Sequence, residues 1–312
     1  MNLGQLRTFE TVVRSGSFSA AARQLRLTPA AVSLQIRLLE RACEVRLFDR
    51  VGRKTLVTPA GRVLRDYAQR IVALERDAER ALEEVRGLAT GTLRIVSSQT
   101  AATYYLPPLW TAFQRRYPGV RVRLALENSR GVTERLLALE DDVGVLGIEH
   151  PPPELVLETL IEDPLVAVVP PGHAWARRRS VPLAALAGQP LILREPGSAS
   201  RRLVEQRLEA AGVPARPVME IASSELIKRA VELGMGVAVL SAAVVAREVE
   251  YRILHAVAIA DRRFTRTLYV AYHRERASMP AIRALVALAQ EFRRRRPAAR
   301  RGAAGRPARH VE

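Results

Sequence analysis

Leu3, Leu6, Phe9, Val12 and Val13 recur at spacings of three and four, which predicts a helix with one apolar face. Ser15-Gly16 ends it. Ser17 or Ser19 caps a second helix over Phe18 to Leu25, whose Ala20, Ala21 and Ala22 permit close helix packing. After the turn Arg26-Leu27, Thr28 caps a third helix with Pro29 at its favoured first position. This helix runs to about Arg41 and turns Val32, Ile36 and Leu39 inward. Three short helices, the second and third closely joined, form the pattern of a helix-turn-helix. Leu47 and Phe48 continue the core, and Val51 to Val57 predicts a small β-wing with Arg53 and Lys54 at its glycine turn.

Thr58-Pro59 opens a long helix to about Leu88. Leu64, Tyr67, Ile71, Leu74, Ala78, Ala81, Val85 and Leu88 repeat in steps of three and four, a heptad seam with charges on the other faces. A second copy is the simplest partner for so narrow a stripe, so a dimer is expected; the alternative is packing on the chain's own body. Gly87 and Gly91 close the helix.

From Thr92 onward, strands and helices alternate in an α/β pattern with mostly parallel strands. Strands are expected at TLRIVSS, VRVRLALE, VGVLGI, PLILRE, PVMEI, GVAVLS and LYVAYH, and two more over Leu155 to Val169, broken at Pro164. Helices are expected over Thr103 to Tyr117, Val132 to Leu139, Ala199 to Ala211, Glu225 to Leu233 and Met279 to Arg293. The stretch exceeds one five-strand unit, and two α/β lobes with a cleft between them fit it. The expected domains are 1–58 (winged helix-turn-helix, its core motif at about 18–37), 59–90 (linker helix), 91–292 (two-lobed domain) and 293–312, a basic tail without apolar periodicity that should be disordered.

Charge sharpens this picture. The formal net charge of +17 sits mainly at the two ends. Residues 1–58 carry ten basic and four acidic side chains, whereas 91–292 carry 25 and 21. A compact basic N-terminal segment suits a binder of the DNA phosphate backbone. The chain of 312 residues is 48% hydrophobic, enough to bury real cores. No apolar run reaches the roughly 18 residues of a membrane span, and the start lacks a signal-peptide core, so a cytoplasmic location is expected. The one cysteine, Cys43, excludes intrachain disulfides and cysteine zinc sites. The five histidines have no metal-ligand spacing, and neither a nucleophile elbow nor a phosphate-binding glycine loop with lysine occurs. No enzyme, metal or cofactor is expected.

A recognition helix presents its N-terminal half to base edges in the major groove of double-stranded DNA. The outward set here is Thr28, Pro29, Ala30, Ser33, Leu34, Gln35 and Arg37. Gln35 suits bidentate pairing with adenine, Ala30 and Leu34 suit a thymine methyl, and Ser33 suits a phosphate. Arg37, Arg50, Arg53 and Lys54 suit phosphates, which position the protein without specifying sequence.

In a two-lobed α/β domain, ligands bind at strand C-termini and helix N-termini. Four hydroxyl-rich places qualify: Ser97-Ser98-Gln99-Thr100, Asn128-Ser129, the run from Pro196 to Ser200, and Ser223-Ser224. Ordinary helix capping explains any one of them. Ser98 and Thr100 together with Ser198 and Ser200 should meet in the cleft and contact a small-molecule effector.

The run FSAAARQLRLTPAAVSLQIRLLERACEVRLFDR, followed by LVTPAGRVL, resembles the LysR-type transcriptional regulators. The resemblance implies a winged helix-turn-helix, a dimerising linker helix (with Leu64, Tyr67, Ile71, Leu74, Ala78 and Val85 as its seam here) and an effector domain like the periplasmic binding proteins, assembled as tetramers. Cys43-Glu44 replaces the family's usual leucine-glycine, and Leu34 stands where arginine or glutamine is common. LREPGSASRRL, SSELIKRAVELGMGVAVLS and YYLPPL look like the subgroup that regulates carbon-fixation operons and responds to phosphorylated or nucleotide metabolites. Arg194, Arg201 and Arg202 would suit an anion, while Glu149-His150 stands where that subgroup often places a basic residue, leaving the effector class open. An architectural DNA-binding protein is the alternative function; it would not need 200 residues of α/β domain.

Overall fold

The computed structural model describes residues 1–51, 54–85, 91–214, 217–260 and 264–295. The chain divides into two units, Met1–Gly91 with Ala138–Glu140, and Thr92–Leu137 continuing from Asp141.

In the first unit, α1 (Leu3–Ser15) starts at a capping box in which Asn2 and Gln5 each bond the other's backbone N–H, and it ends at Gly16. The Ser17 hydroxyl caps α2 (Phe18–Leu25) and that of Thr28 caps α3 (Pro29–Cys43). Both helices close on left-handed residues, Arg26 and Glu44. The core joins Leu6, Phe9, Val12, Ala21, Val32, Ile36, Leu39 and Leu47, with Phe48 packed at 5.3 Å from Phe9 and 5.5 Å from Phe18 between ring centroids. The wing is an antiparallel pair, β1 (Phe48–Val51) and β2 (Lys54–Val57). α4 (Pro59–Val85) follows. Gly61 is required at its start, because a Cβ there would lie 2.3 Å from the Leu47 carbonyl oxygen.

The second unit contains β3 (Gly91–Ser98), a π-turn (Ala101–Tyr105), α5 (Leu106–Arg116), β4 (Val120–Glu127), α6 (Ser129–Leu137), β5 (Val143–Gly147) and β6 (Leu155–Val169). It continues with β7 (Ser180–Val181), β8 (Leu191–Arg194), α7 (Ala199–Ala210), β9 (Pro217–Ile221), α8 (Ser224–Glu232), β10 (Val237–Ser241) and α9 (Ala246–Glu250). β11 (His255–Ile259), β12 (Thr265–His273) and α10 (Pro280–Arg295) complete it. The strand order is β4-β3-β5-β12-β6-β10-β8-β9. β6 divides this path into two lobes, each with its own apolar clusters.

Two expectations are corrected. The sheet is mixed: β3–β5, β8–β9 and β8–β10 are parallel, but β12 runs antiparallel to β5 and β6, and β10 antiparallel to β6. Leu155 to Val169 is one strand rather than two. Pro164 is tolerated because the strand changes partner there, pairing with β12 up to Pro164 and with β10 from Leu165. Its missing N–H falls at the handover, and its carbonyl accepts from Ala242 N at 2.9 Å.

Candidate nucleic-acid interface and effector cleft

α3 buries Val32, Ile36 and Leu39 and leaves Thr28, Pro29, Ala30, Leu34 and Arg37 exposed. Ser33 is half-buried. Gln35, placed on the outward face by periodicity, is also half-buried, and its Oε1 lies 2.8 Å from the Thr8 hydroxyl. α1 therefore tethers this amide. Leu38, exposed on the same helix, escaped the sequence reading. So did Glu40, whose carboxylate accepts from the N–H groups of Leu47 (2.8 Å) and Phe48 (3.3 Å) and so fixes the wing to α3. Arg53 lies outside the described residues, as do the side chains of Arg50, Lys54 and Val85.

On α4 the predicted seam residues Tyr67, Ile71, Leu74 and Ala78 are exposed, and Leu64 is half-buried against the core. The buried stripe is a different one, Ala68 and Val72, facing the chain's own helices. Arg7 on α1 bonds Glu75 on α4 at 2.7 and 2.9 Å.

In the second unit the candidate effector residues lie at four strand or helix ends. Ser98 and Thr100 are buried after β3, and the Ser98 hydroxyl has no hydrogen-bond partner among the described residues. Gln99 reaches the other lobe, where its Oε1 accepts from Ser224 N at 3.3 Å, at the start of α8. Ser198 and Ser200, both buried, bond each other at 3.0 Å, so neither side chain caps α7. Ser223 caps α8 through Leu226 N. Asn128 and Arg130 bond the carbonyls of Pro196 and Gly197, joining the lobes on another side. Glu149 is exposed after β5.

The arginines behave differently from expectation. Arg194 is buried and gives Nε and Nη2 to Glu195 and Nη1 to Ser224. Arg201 gives its three nitrogens to Glu205, Glu220 and the Arg194 carbonyl. The Glu220 hydrogen bond drives the Arg201 pKa up, against the penalty of burial. Both arginines are thus committed to partners within the protein.

Two buried polar clusters were not legible in sequence. Asp163, fully buried on β6, accepts from the hydroxyls of Tyr105 and Ser241 and from Nε and Nη2 of Arg266 on β12 (both 2.8 Å). Burial and then the Asp163 charge push the Tyr105 hydroxyl well above its ordinary pKa. The second cluster surrounds Lys228, buried on α8, whose Nζ lies 2.7 Å from Glu248, 2.9 Å from Glu225 and 3.3 Å from the Val244 carbonyl. Burial disfavours the ammonium, but the two carboxylates outweigh it and its pKa is raised. Tyr104 from the first lobe donates to Glu225 at 3.1 Å. One signal was available: among 49 basic residues only Lys54 and Lys228 are lysine.

Among the described residues no group of His, Cys, Asp or Glu could hold a metal, and no helix is long and apolar enough to cross a membrane.

A capped helix-turn-helix with a wing, a long linker helix and a two-lobed α/β domain define a DNA-binding regulator with a ligand-sensing domain. The bacterial regulatory helix-turn-helix model of the lysR family matches residues 3–62, and the LysR substrate binding domain model matches residues 86–294. The chain belongs to the LysR family of transcriptional regulators. It is 34% identical over 281 residues to the RuBisCO operon transcriptional regulator of Allochromatium vinosum, covering 90% of this chain and 93% of that protein. It is 37% identical over 260 residues to a probable RuBisCO transcriptional regulator of Cyanophora paradoxa, covering 81% of this chain and 80% of that one. Full-length OxyR from Pseudomonas aeruginosa shares the fold, with a TM-score of 0.71 at 23% identity, covering 94% of this chain and 95% of that one. The Synechocystis CcmR regulatory domain in complex with 2-PG aligns with a TM-score of 0.59 at 30% identity, covering 65% of this chain and 98% of that domain.

Proposed function

We propose that this chain regulates a carbon-fixation operon from the cytoplasm, as a homodimer that pairs into a tetramer, in response to a small metabolite. Its 34% identity with the Allochromatium vinosum regulator, over 90% of the chain, carries this reading. Thr28, Pro29, Ala30, Leu34 and Gln35 read bases, while Ser33, Arg37, Arg50, Arg53 and Lys54 hold phosphates. The exposed stripe of Tyr67, Ile71 and Leu74 supports α4 as the dimer seam. Exposed apolar residues on the two edge strands of the second unit support further pairing: Leu124 and Leu126 on β4, and Val218 on β9.

The effector contacts are Ser98, Gln99, Thr100, Ser198, Ser200 and Ser223, with Arg194 orienting the start of α8 and Glu149 at the rim. The CcmR complex supports a phosphorylated acid as the first candidate. Gel-shift titration of the full-length protein on the promoter of its own neighbouring operon, with and without 2-PG and a panel of sugar phosphates, tests the reading. A metabolite-dependent change in affinity, lost in Thr100→Val while DNA binding persists, is the expected result. Indifference to every metabolite would contradict it.

A further inference from the structure

The sequence nominated Arg194, Arg201 and Arg202 as partners for an anionic effector, yet the first two are spent on internal acids and carbonyls. Arg202 is exposed on α7. Arg266 is the contrasting case. Its side chain is only 9% exposed, and all its bonds go to one oxygen of Asp163, through Nε and Nη2. Among the described residues Nη1 has no partner. A guanidinium offers five N–H groups in a fixed fork. Asp163 takes the Nε edge, so among the described residues the far edge, formed by Nη1 and the second Nη2 proton, meets no acceptor.

The surroundings of the Arg266 side chain point to a ligand. A Cβ built on Gly147, at the end of β5, would lie 2.9 Å from the Ala199 Cβ and 3.6 Å from the Arg266 Cδ. The end of β5, the Arg266 side chain and the first residue of α7 therefore converge on one point. α7 starts there without a side-chain cap, which leaves its first-turn N–H groups and positive dipole end unopposed by a side chain. On the neighbouring strand, Ser97 pairs with Val145, which brings Ser98 and its unpartnered buried hydroxyl to the same sheet end.

We propose that Arg266 is the cationic anchor of the effector site, receiving a carboxylate or phosphate oxyanion on its free edge, with the α7 N-terminus and Ser98 completing the cradle. This rests on the effector reading above and gives that effector its chemical class, a small hydroxylated anion. Asp163 does not repel it. Its carboxylate faces the opposite edge of Arg266 and is answered by Tyr105, Ser241 and Arg266 itself. The Arg266–Asp163 pair has no net charge, so geometry rather than bulk attraction selects the ligand: a planar fork matches an oxyanion and a point charge does not.

Thermal-shift and calorimetric titrations of the full-length protein test this, with inorganic phosphate, glycolate and neutral glycerol as probes. Phosphate or glycolate should stabilise the wild type and glycerol should not; the stronger of the two anions tells the phosphate from the carboxylate class. Arg266→Lys keeps a charge for Asp163 but loses the fork, and should weaken anion binding about tenfold or more. Ser98→Ala removes no internal bond, so its fold is expected to be unaffected, and it should weaken the anion several-fold; it carries the test should Arg266→Lys fail to fold. Arg202→Gln should bind as the wild type does. Anion binding that survives both substitutions, or is lost in Arg202→Gln, overturns the proposal and leaves the effector reading standing. Modulation of DNA binding by neutral metabolites alone does the same. Silence toward every small molecule would overturn both.

Discussion

Glu44 holds a φ of +55° where it closes α3, a left-handed position that favours glycine. The departure from the family pattern at Cys43-Glu44 therefore puts a residue with a side chain in a strained conformation. Glu44→Gly should raise stability by about 0.5–1 kcal/mol, seen as a higher Tm. At the reading surface, Gln35→Ala should lose roughly 1–3 kcal/mol of discrimination at one base step. Thr8→Val, which removes the tether and cannot touch a base, should blur the same step in a binding-site selection. Sequence periodicity could place Gln35 on the third helix but not its bond to a residue 27 positions earlier. The same limit hid the Asp163–Arg266 pair, separated by 103 positions, because an ion pair between distant strands has no local period. Hydroxyls at strand ends were legible because the strand pattern that precedes them is local.

α4 shows how much an element's pattern conveys. Its heptad seam was readable as charge-flanked apolar repeats, but the second stripe, Ala68 and Val72, was hidden among them. The two stripes make opposite predictions. Val72→Ala removes methyls from the unit's own core and should lower Tm at a cost of about 1–3 kcal/mol. Leu74→Glu alters a residue 70% exposed in the single chain, so the fold should persist while light scattering reports loss of the dimer. β6 teaches the converse lesson. Pro164 signalled a break, and pairing shows a strand that passes from one lobe's sheet to the other's. A proline marks where a ladder hydrogen bond is missing, not whether the strand ends.

At the scale of the molecule, buried charge ties the second unit together. Asp163 gathers donors from β6's neighbours in both lobes, so Asp163→Ala, which strands Arg266, should cost about 3–5 kcal/mol. The Lys228 cluster sets a pH window. Glu248 has a lowered pKa because its bond to Lys228 outweighs the opposing effect of burial. Its contribution is complete above the ordinary glutamate value of about 4.3 and fades as pH falls through the depressed one. Lys228, raised, contributes fully below about 10.4 and loses its contribution as pH climbs through its elevated value. Glu248→Gln should therefore lower Tm at neutral pH and flatten the acid limb of the Tm profile.

The central claim is that a paired winged helix-turn-helix reads DNA sequence. Selection from random duplexes with the full-length protein tests it most directly. Enrichment of a dyad-symmetric site, its half-sites spaced by whole helical turns and its dyad lost in Leu74→Glu, is the expected result. Recovery of duplexes with no common sequence would contradict the account.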